Sequence, residues 1–225
     1  MKKNNNFILT IDGPAASGKS TTARIIANKL HWLYLDTGAM YRAMAVKIVQ
    51  NNIALDDSVS IGKIADETEI SIKQTKNGMK VFLDQEDITN KIRTPEIDRA
   101  VGPVCEVPQV REVLVSLQKK IGSKGNIVAE GRDMGTVVFP KADLKIFLIA
   151  SLPSRAERRF KDMKKMGLEI SKEELIQEIQ KRDQRDANRA HSPLKKAEDS
   201  IVLDTTHLSI AQQVEFILNK INEVK

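Results

Sequence analysis

A single cysteine, Cys105, has no partner in the chain, so neither an intramolecular disulfide nor a cysteine-built metal site is available. Aromatic residues are only 4% of the sequence, too few for the base-stacking surfaces of single-stranded nucleic-acid binders. No uninterrupted apolar run approaches the ~18 residues of a membrane span. The basic start, Met1 to Asn6, is followed by an apolar stretch, Phe7 to Ile11, too short and too strand-like for the core of a secretion signal. His31, His191 and His207 are scattered and form no metal-ligand set. Charge is not one-sided either. The net value is +6, yet acids and bases alternate between Ser154 and Asp199, so polynucleotide binding is not indicated. The expected setting is the cytoplasm, with small molecules as partners and neither nucleic acid nor membrane among them.

What is there begins with Gly13-Pro14-Ala15-Ala16-Ser17-Gly18-Lys19-Ser20, a complete G-x-x-x-x-G-K-[ST] run. The segment before it, Phe7 to Asp12, reads as a buried strand, and Ala23, Ile26, Ala27 and Leu30 after it repeat at helical spacing. A loop between a strand and a helix N-terminus aims backbone N–H groups at one spot, and the helix dipole adds positive potential there. Phosphate is the natural occupant. Gly13 to Ser20 are therefore the candidate cradle for a nucleoside triphosphate, with Lys19 reaching the β/γ-phosphates and the Ser20 hydroxyl ligating Mg²⁺.

Four further strand-like runs follow: Trp32 to Leu35, Asn126 to Ala129, Leu144 to Ile149 and Ser200 to Leu203. Helical patterns over Ala39 to Val49, Val110 to Ile121 and Ile210 to Ile221 separate or follow them. Strands without period-2 alternation, interleaved with helices, predict an α/β fold: a five-stranded parallel sheet with helices on both faces. One stretch breaks the rhythm. Ile70 to Lys73 and Lys80 to Leu83 alternate in period two around Asn77-Gly78, a hairpin signal, and predict a small antiparallel insert running to about Gly102.

A triphosphate loop does not by itself separate kinases from GTPases, ATPases or motors. A kinase acting on a small anion must hold two anionic substrates with fixed positive charge at the C-terminal ends of the strands. Asp36-Thr37-Gly38-Ala39-Met40-Tyr41-Arg42 follows the second strand and Glu130-Gly131-Arg132-Asp133 the third. Both put an arginine on that rim. Farther on, Arg182, Arg185, Asp186 and Arg189 follow i, i+3, i+4, i+7, so charge replaces apolar residues on the inner face of a helix. With Arg155, Arg158 and Arg159 on the preceding helix, they predict a lid that closes over the phosphates and excludes water.

These segments resemble the bacterial cytidylate kinases, a branch of the nucleoside-monophosphate kinases. The matching pieces are IDGPAASGKST, LDTGAMYR, EDITNKIRTPEI with PQVRE, EGRDMGTVVFP, KRDQRDANRAHSPL and LDTTHLS, in the family's order over nearly the whole chain. The resemblance implies one P-loop kinase domain: a core of about 1–60, 103–153 and 200–225, a monophosphate-binding insert of about 61–102, and a lid of about 154–195. It implies phosphorylation of CMP, and of dCMP, by ATP with Mg²⁺, in a monomer. Gly13 to Thr21 would cradle ATP with Arg158 beside them, and Lys19, Arg132, Arg182 and Arg189 would be catalytic. Thr37, Arg42, Gly102, Arg111, Arg132, Asp133, Arg182, Asp186 and Arg189 would bind CMP. Gly102 departs from the family's usual small hydroxyl residue, so one hydrogen bond to cytosine has to come from water or another side chain.

The chemistry is consistent with that set. Cytosine presents an N4 amino donor with N3 and O2 acceptors, which a carboxylate plus a guanidinium complement; uracil reverses part of the pattern. The acceptor oxygen is already anionic, so no general base is required. UMP or a non-nucleotide acceptor such as shikimate is the nearest alternative. A nucleotide switch would need a guanine-reading Asn-Lys-x-Asp motif, which is not obvious here.

Overall fold

The computed structural model describes residues 6–75, 78–165, 167 and 170–225. Five strands form a parallel sheet: β1 (Ile8–Asp12), β2 (Leu33–Asp36), β6 (Ile127–Gly131), β7 (Leu144–Ile149) and β8 (Ile201–Asp204), in spatial order β2-β6-β1-β7-β8. β1 lies at the centre, with Thr10 opposite Ala129 on one side and Lys145 on the other. All five β6 residues are buried, as expected for a strand covered on both faces. α1 (Lys19–Leu30) and α8 (Ile210–Val224) bury Ala23, Ile26, Val214 and Ile217 on one face. α2 (Thr37–Gln50) and α5 (Pro108–Gly122) cover the other. The α/β architecture expected from the sequence is the one observed.

α2 is unusual for a surface helix. Met40, Ala43, Met44, Ala45 and Ile48 are fully or almost fully buried, which requires cover all round its circumference. The cover comes from the segment that breaks the alternation. α3 (Ser58–Glu67) precedes a second sheet of β3 (Ile70–Thr75), β4 (Gly78–Leu83) and β5 (Glu86–Asp87), all antiparallel. Lys76 and Asn77 of the expected hairpin turn lie outside the described residues. Asp84 and Gln85, both at positive φ, make the next two-residue turn. Ile70, Val81, Leu83, Ile88 and Ile97 then pack into the same apolar cluster as α2.

α4 (Pro95–Glu106) follows a single 3₁₀ turn at Lys91–Arg93. Thr94 caps it by accepting from the Ile97 amide at 3.3 Å, Pro95 occupies the first turn, and Glu96 and Asp98 favour the positive end of its dipole. It continues through Gly102 and Pro103, so the sequence-based insert boundary at 102/103 falls inside one helix. α6 (Leu152–Lys165) and α7 (Lys172–Asn188) form a helical pair over the C-terminal edge of the sheet. α7 starts with a reciprocal Ser171–Glu174 capping box.

Candidate active site

β1 delivers the chain into the glycine loop, and two glycines there are required by geometry. Gly13 has φ +148°, and a β-carbon on it would meet the Leu148 carbonyl oxygen of β7 at 2.2 Å. Gly18, at φ +98°, starts α1 in the left-handed region. The loop is braced from the far end of the chain. The Thr205 hydroxyl lies 3.0 Å from the Ser17 carbonyl oxygen, and Thr22 donates to Gln213 at 2.9 Å. Arg158 reaches under the same loop, donating to the Ser17 carbonyl at 3.2 Å and to the Thr205 hydroxyl at 3.1 Å. Arg155 donates to the Ala15 carbonyl at 3.3 Å.

Lys19 is 5% exposed and curls back over the loop, donating to the Pro14 carbonyl at 2.7 Å. Burial and the neighbouring Arg132 charge lower its pKa to about 7, against the opposing pull of Glu130 and Asp12. An ammonium held in that state gains strongly from an anionic guest. The Ser20 hydroxyl donates to Glu130 Oε1 at 2.6 Å, while burial, reinforced by Asp36, raises the Glu130 carboxyl above its ordinary value. Asp12 ends β1 and accepts from the Met134 and Gly135 amides at 2.9 and 2.8 Å. It thereby ties the central strand to the π-type turn Met134–Val138. Burial pushes Asp12 up to about 6 in spite of those two bonds.

The predicted arginines converge from three elements. Arg132, just after β6, donates to Asp186 Oδ2 of α7 at 2.7 Å. Burial pulls it down, but Asp186 outweighs that and holds the guanidinium above its ordinary pKa. Arg182 of α7 is lowered to about 10 by burial and then by the Arg132 and Arg42 charges, so three cations crowd one space. Arg42 of α2 is held by Asp98 Oδ1 at 3.2 and 3.1 Å. Arg189, just past α7, donates through Nε to the Ser192 carbonyl at 2.5 Å. Asp186 and Asp98 offset part of this charge, but Arg182 has no ion pair among the described residues, so the rim keeps positive charge to spare for an anion.

A second cluster lies beside it. Arg111 of α5 and Asp133 are paired and almost completely buried. The Arg111 guanidinium lies 5.3 Å from the Tyr41 ring centroid and donates to the Cys105 carbonyl at 3.3 Å. Arg111 Nε and the Tyr41 hydroxyl are buried with no hydrogen-bond partner among the described residues. Such orphans cost about 1–3 kcal/mol each until something fills them. Thr37 donates to the Glu130 carbonyl at 2.8 Å and fixes the start of α2 beside β6.

All the predicted site residues therefore lie on the loop, the strand ends or the helices that overhang them, and Gly102 lies on the α4 face turned toward α7. The geometry adds several residues that are not among the sequence candidates. Asp12 and Glu130 were legible as acids adjoining the two motifs. Tyr41 precedes Arg42 in plain view. Asp98 and Arg93, the latter 2.9 Å from Asp36 Oδ2, carried no signal because their partners are more than fifty residues away.

A family model described as cytidylate kinase matches residues 9–223. The chain is 49% identical over 210 residues to a cytidylate kinase of Carboxydothermus hydrogenoformans, covering 93% of this chain and 95% of that protein. It is 45% identical over 215 residues to that of Bacillus subtilis, covering 96% of each. A solved gluconokinase from Sinorhizobium meliloti 1021 superposes with a TM-score of 0.51 at 12% identity, over 99% of this chain and 95% of that one. That likeness concerns the fold alone.

Proposed function

The chain belongs to the cytidylate kinase family, and we propose that it transfers the γ-phosphoryl group of ATP to CMP, and to dCMP, yielding ADP and the pyrimidine nucleoside diphosphate. The observation that carries this reading is the crowding of Lys19, Arg132, Arg182 and Arg42 at the C-terminal edge of β1 and β6. A cradle for one phosphate chain meets a cationic rim for a second anion, and in-line transfer needs both held end to end.

The glycine loop holds the β- and γ-phosphates with its amides, and Lys19 neutralises charge on the γ-group. Arg42 and Arg132 grip the acceptor monophosphate, while Arg182 and Arg189 reach it from α7 and the residue beyond. An oxygen of that monophosphate attacks the γ-phosphorus, and the bond to the β–γ bridging oxygen breaks, its electron pair leaving with ADP. The attacking oxygen is already ionised, so no proton acceptor is needed. Ser20 and Glu130 offer hard oxygen donors at the N-terminus of α1, a set that suits Mg²⁺, and Ser20 would hold it with the nucleotide. When bound, Mg²⁺ supplies further charge neutralisation on the phosphates.

The Arg111–Asp133 pair faces the base, the carboxylate accepting from the cytosine N4 amino group and the guanidinium donating to its acceptors. Uracil leaves that pair mismatched, and each buried group left unpaired costs about 1–3 kcal/mol, roughly tenfold to hundredfold in selectivity. UMP is therefore disfavoured. The segment from about residue 61 to the end of α4 at Glu106 acts as the acceptor-binding insert, and about 154–195, carrying α6 and α7, as a lid. No helix among the described residues is long and apolar enough to cross a membrane, and the enzyme acts as a cytoplasmic monomer.

The test incubates the full chain with ATP, Mg²⁺ and a panel of CMP, dCMP, UMP and shikimate, following ADP release and the phosphorylated product. CMP and dCMP are expected to be consumed and the others nearly spared. Intact ATP in the presence of CMP and magnesium overturns the reading.

A further inference from the structure

α4 carries Asp98, Gly102 and Glu106 at intervals of four, so the three share one face. That face meets α6 and α7. Asp98 accepts from Arg159 of α6 at 3.2 Å through Oδ2, while its Oδ1 holds Arg42 of α2. Glu106 Oε1 lies 3.9 Å from Arg185 Nε of α7. Between the two acids the missing side chain leaves a notch, and the guanidinium of half-exposed Arg185 reaches into it: a β-carbon on Gly102 would lie 1.9 Å from Arg185 Nη1 and 3.0 Å from Cζ. Two carboxylates flanking a gap thus receive two guanidiniums from the helical pair.

Arg185 sits one turn beyond Arg182 and next to Asp186, the partner of Arg132. Arg185 is about half exposed, so its seat biases the placing of that turn rather than clamping it. The seat belongs to α4, the helix whose Asp98 also holds the arginine facing the acceptor phosphate. We infer that the Asp98–Gly102–Glu106 stripe is the docking seat of the lid, and that Arg185 is a positioning residue. By entering the Gly102 notch it sets Arg182 and Asp186 in register with the acceptor-binding helix. The inference rests on the phosphotransferase reading above. It adds that closure is referenced to the acceptor side rather than to the ATP loop.

A double-mutant cycle in the full chain tests it, using Gly102→Ala, Arg185→Ala, the combination, and Arg185→Lys, with kcat and both KM values measured. Alanine is the better helix former at an interior helical position, so Gly102→Ala should keep or raise the melting temperature. Its kinetic loss then cannot come from unfolding. Displacing the guanidinium should lower kcat about tenfold with the KM for ATP changed less than twofold. Arg185→Ala should do the same, and the combined variant should be no worse than either alone. Arg185→Lys should recover only part of the loss, since an ammonium cannot fill the notch and face Glu106 together. A Gly102→Ala enzyme at parental kcat, or losses that multiply in the combined variant, overturns the seat. The acceptor panel on the parental enzyme fails or succeeds independently, so a wrong acceptor and a wrong seat are told apart.

Discussion

Lys19 should take up a proton when ATP binds. Burial and Arg132 hold it near a pKa of about 7 in the nucleotide-free protein, so at pH 8 only about a tenth of the molecules carry the ammonium. Triphosphate oxygens placed against it restore the charge and lift the pKa back above the working range. Binding at pH 8 should therefore absorb most of a proton, about 0.9 from Lys19 itself. The sign follows from linkage: the bound form holds more protons, so ATP affinity must fall as pH rises above 7, by up to about tenfold per pH unit. Phosphate ionises near pH 6, so at pH 8 the nucleotide itself adds little. Titration calorimetry at pH 8 in buffers of different ionisation enthalpy measures the uptake directly, with Lys19→Met as the control that should abolish it. A binding enthalpy independent of buffer, or an affinity flat from pH 7 to 9, would refute the electrostatic account of the loop.

Lys19→Met should also raise stability while eliminating turnover. The folded protein holds this amine below its ordinary 10.5, so folded stability rises with pH from about 7 to 10.5, and removing the charge relieves a cost on the order of a few kcal/mol at pH 7, read as a higher melting temperature. Arg132→Ala should cut kcat at least about a hundredfold without unfolding the chain; near-parental turnover would remove it from the phosphate rim. Asp133→Asn, which leaves Arg111 a hydrogen-bond acceptor, should weaken CMP about tenfold to a hundredfold by calorimetry and ATP hardly at all; equal weakening would count against a base-facing role. Met44→Ala, at a fully buried position in the middle of α2, should cost about 2–5 kcal/mol in urea unfolding. A loss below about 1 kcal/mol would mean the insert does not seal that helix.

The phosphate loop was legible because its chemistry is local: the glycines, the lysine and the flanking strand and helix all fall within about twenty residues. The five parallel strands were legible for a similar reason, since each is a short apolar run between helical patterns. α4 was not. Gly102-Pro103 reads as a break, yet the helix passes through both; Pro103 gives up one helical hydrogen bond there, against the usual preference, and the glycine makes room for Arg185. α3 was hidden too, its ten residues offering only Ile61, Ile64 and Ala65 to mark a period. The site split along the same line. Lys19, Arg132 and Asp133 belong to contiguous motifs, whereas Asp98 gains its meaning from arginines 56 and 61 residues away, and no periodicity announces such a pairing.

The loop at the beginning of the chain depends on residues near its end, Thr205 against Ser17 and Gln213 against Thr22. On the ribosome, where N-terminal segments emerge first, Gly13 to Ser20 are made early but stay unsupported until about two hundred further residues have left the exit tunnel. A nascent or C-terminally shortened chain therefore owns the whole motif and still lacks a finished nucleotide cradle. Firm ATP binding is therefore expected to need α8 and the turn before it.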